Sequence, residues 1–521
     1  MIAALFTTNL QLGAVGVFIF ALLAFAFNKL TTWEYSIPKE VQWVDRRTQP
    51  FSYLRAKARA LARSKENTLE AYFRFNKLGK AAALAVPFGR PLLLLPQTFV
   101  RWIVDQPESI ISLDPIHDDF HVFVGGDLTG DHTVQELLRR ELTLNLDKLI
   151  SVINDEIVCA LDDVLGNSPE WKSTSLADDL KTIVARTSNR VFVGKDLCRN
   201  KHYISTVKGL ALVIMPETVL QDLIPQFLKG PLSRITKAFN NIYGMKKFSS
   251  LLLGVVRQRY IDVKDVLEGS GDKTRLPDDL LTWMVQKSIR KGESSANIDK
   301  LLVARIAMAN LAAIETTTAA MTRSVLDLVT QGSEGGFLKA VQEETLAVVE
   351  GCNYEPSKKD VLKLVLTENA IKEALRLQVA FPGLMRQVVA PNGVTLENGL
   401  HVPCGTRLGV SAAGIHVDES IYEDPTTYNP GRFLVRDLDP RGDPSPMWKG
   451  NENYLAFSLG RRSCPGRWYV TDQLKLTLAH IFSKYEIRFE KAAETASALR
   501  KILPGAPQDR VMIRRRSVGK R

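Results

Sequence analysis

Residues 12–27 are an almost unbroken run of Ala, Val, Ile, Leu and Phe with two glycines, and residues 1–28 carry no Lys, Arg, Asp or Glu. Such a segment reaches the ~20 residues that crossing a bilayer core requires, so it predicts a transmembrane anchor over 1–28. Ala24-Phe25-Ala26 also has the small-x-small form of a signal cleavage site, but a secretory signal needs basic residues in front of it. Here they follow, as Lys29, Lys39, Arg46 and Arg47, which favours an anchor and leaves the rest of the chain on the cytosolic side. From about Thr68 onward the apolar positions recur at helical spacing, most clearly over 133–149, 176–191 and 299–329. Between 388 and 410 the pattern changes to short strand-like runs broken by Asn392-Gly393, Asn398-Gly399 and Pro403-Cys404-Gly405. A last helix is predicted over 466–485, and 87–95 reads as a tight β-hairpin turning at Phe88-Gly89-Arg90. Helices first and a small β region late predict a predominantly α-helical α+β fold. No internal repeat or linker-like stretch divides 29–521, which is read as one large, mostly helical domain.

Charge changes this picture little. The formal net charge of +11 and pI near 9.3 admit nucleic acid, a membrane surface or an acidic protein as partner. The basic residues do not form an aromatic-interleaved patch, so nucleic acid is not expected. The densest cluster, Arg510, Arg514, Arg515, Arg516, Lys520 and Arg521, is read as a solvated terminus. Cys159, Cys198, Cys352, Cys404 and Cys464 are odd in number, far apart and without a Cys-x-x-Cys pair, which argues against a disulfide framework or a zinc ribbon and for a reducing compartment. His401 and Cys404 have ligand-like spacing, but they lie between strand-like runs and read as a turn. Residues 269–274, Gly-Ser-Gly-Asp-Lys-Thr, lack the strand and the Gly-Lys pair of a phosphate loop and read as a linker loop. There is no Gly-x-Gly-x-x-Gly either, so a nicotinamide or flavin has to be carried by another protein.

Three stretches carry chemistry. Phe457-Ser458-Leu459-Gly460-Arg461-Arg462-Ser463-Cys464-Pro465-Gly466-Arg467 is the most informative. It resembles the haem-binding loop of cytochromes P450, with Phe, Gly, Arg, Cys and Gly at the family's spacings. A thiolate on haem iron needs a tight turn to present the sulfur, nearby N–H donors to tune it and an apolar cover against water. Gly460 would permit the turn, Phe457 would shield the sulfur, Arg462 would pair with a haem propionate, Gly466 would start the next helix under the porphyrin, and Cys464 would be the metal ligand. Ala312-Ala313-Ile314-Glu315-Thr316-Thr317 resembles the family's oxygen-activation motif, with Glu315 and Thr316 as the acid–alcohol pair that delivers protons; Ala313 replaces the usual glycine. Ala309, Ala312, Ala313, Thr316 and Ala320 share a small-residue face that would leave room for O₂ and substrate.

Glu373-Ala374-Leu375-Arg376 resembles the family's Glu-x-x-Arg motif, which places two side chains on one helix face. A second copy, Glu136-Leu137-Leu138-Arg139, shows how little the pattern says alone. The first copy is selected by Tyr428-Asn429-Pro430-Gly431-Arg432-Phe433, whose Arg432 would complete a Glu-Arg-Arg network that holds the scaffold. The resemblance further implies that Arg386 contacts a propionate, and that Arg139 or Arg140 does so although the usual Trp-x-x-x-Arg is missing.

His416 to Pro425, and Ser188 to Gly194 continuing through Cys198-Arg199-Asn200, look like fungal members, especially ent-kaurene-oxidase-like enzymes of secondary metabolism. The resemblance implies haem b as cofactor, electrons from NADPH through a separate cytochrome P450 reductase, an apolar small-molecule substrate of terpenoid or meroterpenoid type, and a single-pass endoplasmic reticulum location with a cytosolic catalytic domain. Loops at 107–130, 214–227 and 379–384 would line the substrate pocket. Two other readings remain open: an O₂-independent haem-thiolate isomerase or dehydratase, which often lacks the acid–alcohol pair, and a non-enzymatic haem carrier or sensor.

Overall fold

The computed structural model describes residues 37–46, 52–86, 90–121, 128, 130–211, 245–293, 297–331, 336–379, 382–436, 438, 442, 444–490 and 510–516. The expected anchor over 1–28, the substrate loop at 214–227 and the hairpin tip at 87–89 lie outside them. The described residues fall into two compact units, one formed by those up to Ile116 together with 382–414, the other by the remainder.

The strands, in chain order, are β1 (Gln42–Val44), β2 (Ala82–Leu84), β3 (Leu92–Leu95), β4 (Ile111–Ser112), β5 (Lys172–Ser175), β6 (Gly383–Val388), β7 (Val394–Thr395), β8 (His401–Val402), β9 (Arg407–Val410), β10 (Tyr485–Phe489) and β11 (Arg510–Arg515). In the first unit six of them form a sheet in the order β1-β2-β3-β9-β6-β4. β3 is central, paired antiparallel to β2 and parallel to β9, and all four of its residues are buried. That explains its run of consecutive leucines, since both faces are covered. Helix α1 (Ser52–Arg74) lays Ala71 against Val44, Ala82, Leu84, Leu92 and Leu94. The late strand region forms as expected, with Gly393, Gly399 and Gly405 at φ of +69°, +82° and +85° in its turns.

Two expectations about β structure need correction. The hairpin pairs β2 with β3, Leu84 opposite Leu92, so its first arm lies upstream of Pro87. Proline has no N–H to give to a ladder, whereas Ala82, Ala83 and Leu84 do and are buried. Over Arg510–Arg515 the basic tail is not a solvated terminus either, since β11 is the middle strand of a sheet β10-β11-β5; Lys520 and Arg521 lie outside the described residues. Val511 and Ile513 point into the core while Arg514 pairs with Glu486 and Arg515 with Asp162. Alternation inside the arginine cluster was the strand signal, and the density of charge hid it.

The second unit is built on helices: α2 (Leu146–Leu165), α3 (Leu176–Phe192), α4 (Met245–Leu267), α5 (Leu280–Arg290), α6 (Ile298–Thr330), α7 (Gly336–Gly351), α8 (Val365–Gln378) and α9 (Arg467–Lys484). One apolar core gathers residues from all eight. α6 runs through it for 33 residues and matches its predicted span to within a residue at each end. It is long and apolar enough to cross a bilayer, but it is largely buried and serves as a core helix. α9 ends where Tyr485 opens β10, and Gly466 is its N-cap. Residues 269–274 lie in the connection between α4 and α5, as expected, with Lys273–Arg275 forming one 3-10 turn capped by Asp272.

The helix expected over 133–149 is broken. An α-turn, Thr133–Leu137, passes into a π-helical turn, Leu138–Leu142, and α2 begins afresh after Asn145. Asn145 lies outside helical geometry and its amide donates to the carbonyl of Glu141, the side-chain competition with the backbone that ends helices. The π-turn carries Arg139.

Candidate functional site

The loop before α9 folds back on itself. The N–H of Cys464 donates to the carbonyl of Phe457 (2.9 Å), Ser463 to Gly460 (3.1 Å) and Ser458 to Leu455 (3.0 Å). Gly460 makes the turn at φ +75°, and Ser458 beside it is held at φ +62°, a conformation that L-residues rarely adopt. The result presents Cys464 just ahead of the N-terminus of α9. Burial pushes its thiol pKa up, while the N–H groups of Gly466 and Arg467 and the charges of Arg467 and Arg139 pull against that. Arg467 donates to the carbonyl of Cys464 (2.8 Å) and stacks on Trp468, which meets Trp448.

Arg139, and not Arg140, faces this loop. Its guanidinium lies 3.5 Å from the Ser463 carbonyl, whereas Arg140 is exposed beside Glu141. Burial and then the like charge of Arg462 lower the Arg139 pKa, while the Cys464 sulfur and Glu136 pull against them, so Arg139 feels both charges of the cysteine loop. Arg139 and Arg462 are both cations on or facing the loop of the thiol, and a group that carries two propionates fits that donor set.

In α6, Ala312 and Thr316 are exposed although most of the helix is buried, as a cleft wall would be. The Thr316 hydroxyl donates to the Ala312 carbonyl at 2.8 Å. Glu315 does not share that face. Successive helical residues diverge by about 100°, and its carboxylate instead meets the ammonium of Lys181 on α3 at 2.6 Å. Nothing in the spacing of α3 singles out Lys181; only the packing of two distant helices makes the pair.

Glu373 accepts from Arg376 through both oxygens (2.7 and 2.8 Å), from Arg432 Nε (3.1 Å) and from the Asn429 N–H (3.1 Å). Arg376 reaches on to the carbonyls of His416 and Pro425, and Arg432 to those of Glu423 and Asp424. The second copy of the motif behaves differently, since Glu136 pairs with Lys287 and Arg139 turns to the cysteine loop. Arg386 lies in β6 of the first unit, buried, donating to the Met385 carbonyl (2.8 Å).

Sequence reasoning missed the polar ties inside this core. Asn189 donates to Asn310 (2.6 Å) and accepts from the Tyr203 hydroxyl (2.9 Å), linking α3 to α6. Gln473 of α9 donates to Thr187. His416 and His480 are buried, and burial lowers the pKa of each from 6.5 to about 3. Because the folded pKa lies below the unfolded one, unfolding takes up protons in this window. Their stabilisation is complete above about pH 6.5 and is lost as pH falls toward 3. Asp327, raised by burial to about 6, acts with the opposite sign between about pH 4 and 6 and offsets one proton of the two. Replacing His480 with Gln is therefore expected to flatten the acid loss of stability by up to about 1.4 kcal/mol per pH unit. Denaturant midpoints at several pH values measure this, and an unchanged slope contradicts it.

Known proteins converge on the same reading. A sequence profile described as Cytochrome P450 matches residues 132–509. Cytochrome P450 monooxygenase ecdH of Aspergillus rugulosus is 49% identical over 513 residues, covering 98% of this chain and 99% of the relative. Cytochrome P450 monooxygenase lnaC of Aspergillus flavus is 29% identical, covering 87% of each, and efuH of Hormonema carpetanum 28%, covering 85% of this chain and 80% of the relative. With similarity extending over nearly its whole length, and with a cysteine loop folded to present a thiol and faced by Arg139, this chain belongs to the cytochrome P450 family, among fungal haem-thiolate monooxygenases.

Proposed function

We propose that the chain inserts one oxygen atom into an apolar small molecule, with Cys464 as the haem ligand and electrons from NADPH through a separate reductase. The observation that carries this reading is the Cys464 thiol, set ahead of α9 in a folded-back loop whose Ser463 carbonyl the Arg139 guanidinium approaches at 3.5 Å. When bound, a haem with a thiolate ligand supplies the O₂-splitting chemistry, because electron density from sulfur favours O–O cleavage.

The residues of the chain then have distinct tasks. Cys464 gives its sulfur, which the N–H groups of Gly466 and Arg467 tune and Phe457 shields from water. Arg139 and Arg462 hold propionates, and Arg386 is assigned to the same task. Thr316 holds a hydroxyl proton on the open face of α6, and Glu315 stores a second titratable group on the neighbouring face, parked on Lys181. Glu373, Arg376 and Arg432 keep the scaffold rigid and touch no reacting atom. Residues 1–28 anchor the enzyme in the endoplasmic reticulum membrane with the catalytic part in the cytosol, where the reductase and lipophilic substrates are available.

Within apolar substrates, the resemblance to ent-kaurene-oxidase-like enzymes supports a terpenoid or meroterpenoid. A panel of terpenoid and other scaffolds, scored by the spectral shift on binding, tests this. Binding confined to the other scaffolds overturns it.

Thr316→Ala is expected to leave haem content and substrate binding nearly unchanged while product per NADPH consumed falls and hydrogen peroxide rises. General acid–base assistance contributes on the order of 10²–10⁴ in rate, so the product loss should be large. The measurement is the ratio of product to NADPH for wild type and variant with one reductase. An unchanged ratio and rate would remove Thr316 from the chemistry and favour an O₂-independent reaction.

A further inference from the structure

We propose that His416 is a positioning residue for the cysteine loop, a neutral imidazole that ties the helix of Glu373 and Arg376 to the segment presenting Cys464. The proposal rests on the reading of Cys464 as haem ligand.

The imidazole is completely buried and uses both nitrogens. Nε2 accepts the N–H of Leu455 at 2.9 Å. An amide can only donate, so Nε2 carries no proton there and the hydrogen is on Nδ1, which donates to the Arg376 carbonyl at 3.0 Å. Arg376 answers by donating its guanidinium to the carbonyl of His416, so the two residues clamp each other in both directions. The ring also stacks on Tyr454 (centroids 5.6 Å apart, 16° between planes), and Tyr454 in turn meets Phe433, the neighbour of Arg432.

What the clamp holds is the start of the ligand loop. Leu455 is buried, its carbonyl accepts the N–H of Ser458, and the carbonyl of Phe457 accepts the N–H of Cys464. A hydrogen-bonded path therefore runs from the Glu373–Arg376 pair through His416 and Leu455 to the turn that aims the sulfur. Space filling and ring stacking need only a flat side chain. The two hydrogen bonds need an acceptor and a donor at the two positions the imidazole supplies, and a buried N–H left without its acceptor costs about 1–3 kcal/mol.

The amides of asparagine and glutamine separate the two bonds, because asparagine reaches the Nδ1 position and glutamine the Nε2 position. In the haem-loaded full chain, His416→Gln is expected to keep the Leu455 amide slow in hydrogen exchange and to keep the red-shifted Soret band of the reduced CO complex. His416→Asn should speed exchange at Leu455 roughly tenfold or more, the factor that follows from orphaning that N–H, and should shift part of the CO complex out of the red-shifted band. Indistinguishable Asn and Gln variants overturn the proposal. So does a wild-type protein whose Leu455 amide exchanges as fast as exposed amides, an outcome that stands even if neither variant loads haem. A wild type that keeps Leu455 protected but lacks the red-shifted band instead overturns the ligand reading on which the positioning role depends.

Discussion

Glu373→Gln should destabilise the fold by about 3–5 kcal/mol, the loss seen when one partner of a buried ion pair is removed. Glu373 is fully buried and meets two guanidiniums, those of Arg376 and Arg432, which are fully and almost fully buried. Glutamine preserves the shape and one acceptor oxygen but leaves both cations without a counter-charge. Domains of ordinary stability have only about 5–15 kcal/mol to lose, so much of the variant should fail to accumulate with haem bound. Haem content per chain and the denaturant midpoint report the effect. A midpoint equal to wild type would mean that the carbonyls of His416, Pro425, Glu423 and Asp424 suffice for the two arginines.

Cys464→Ser acts on chemistry more than on fold. The side chain is small, and the bonds that shape its loop come from the backbone: Cys464 N–H to Phe457 and Ser463 N–H to Gly460. The serine hydroxyl cannot supply the soft, electron-rich ligand, so the reduced CO complex should lose its red-shifted Soret band and product formation should fall to background. Retention of that band by the variant would remove Cys464 from the iron.

The parts of the fold that could be read in advance are those with strong local periodicity. α6 and α9 were placed to within a residue because long helices with continuous apolar spacing leave little choice. β1, β2 and β4 are only two or three residues long, too short for a period, and β1 and β4 pair with strands far away in sequence. The π-turn at Leu138–Leu142 has no signature in composition, yet it carries both Arg139, which meets the cysteine loop, and Arg140, which does not. In the site itself the loop around Cys464 was legible because its residues are contiguous. The Lys181–Glu315 pair and the two bonds of His416 were not, since each joins elements that only the tertiary packing brings together. His416 drew notice as part of a family-like segment, and its hydrogen bonds give it a task.

The function as a whole is tested most directly by supplying isotopically labelled O₂ to the full chain together with an NADPH-dependent reductase, NADPH and a scaffold that it binds. A monooxygenase built around Cys464 places one labelled atom in each molecule of oxidised product and consumes NADPH in step with it. Product that forms without label, at an undiminished rate when O₂ is withheld, would contradict that assignment and identify an O₂-independent reaction.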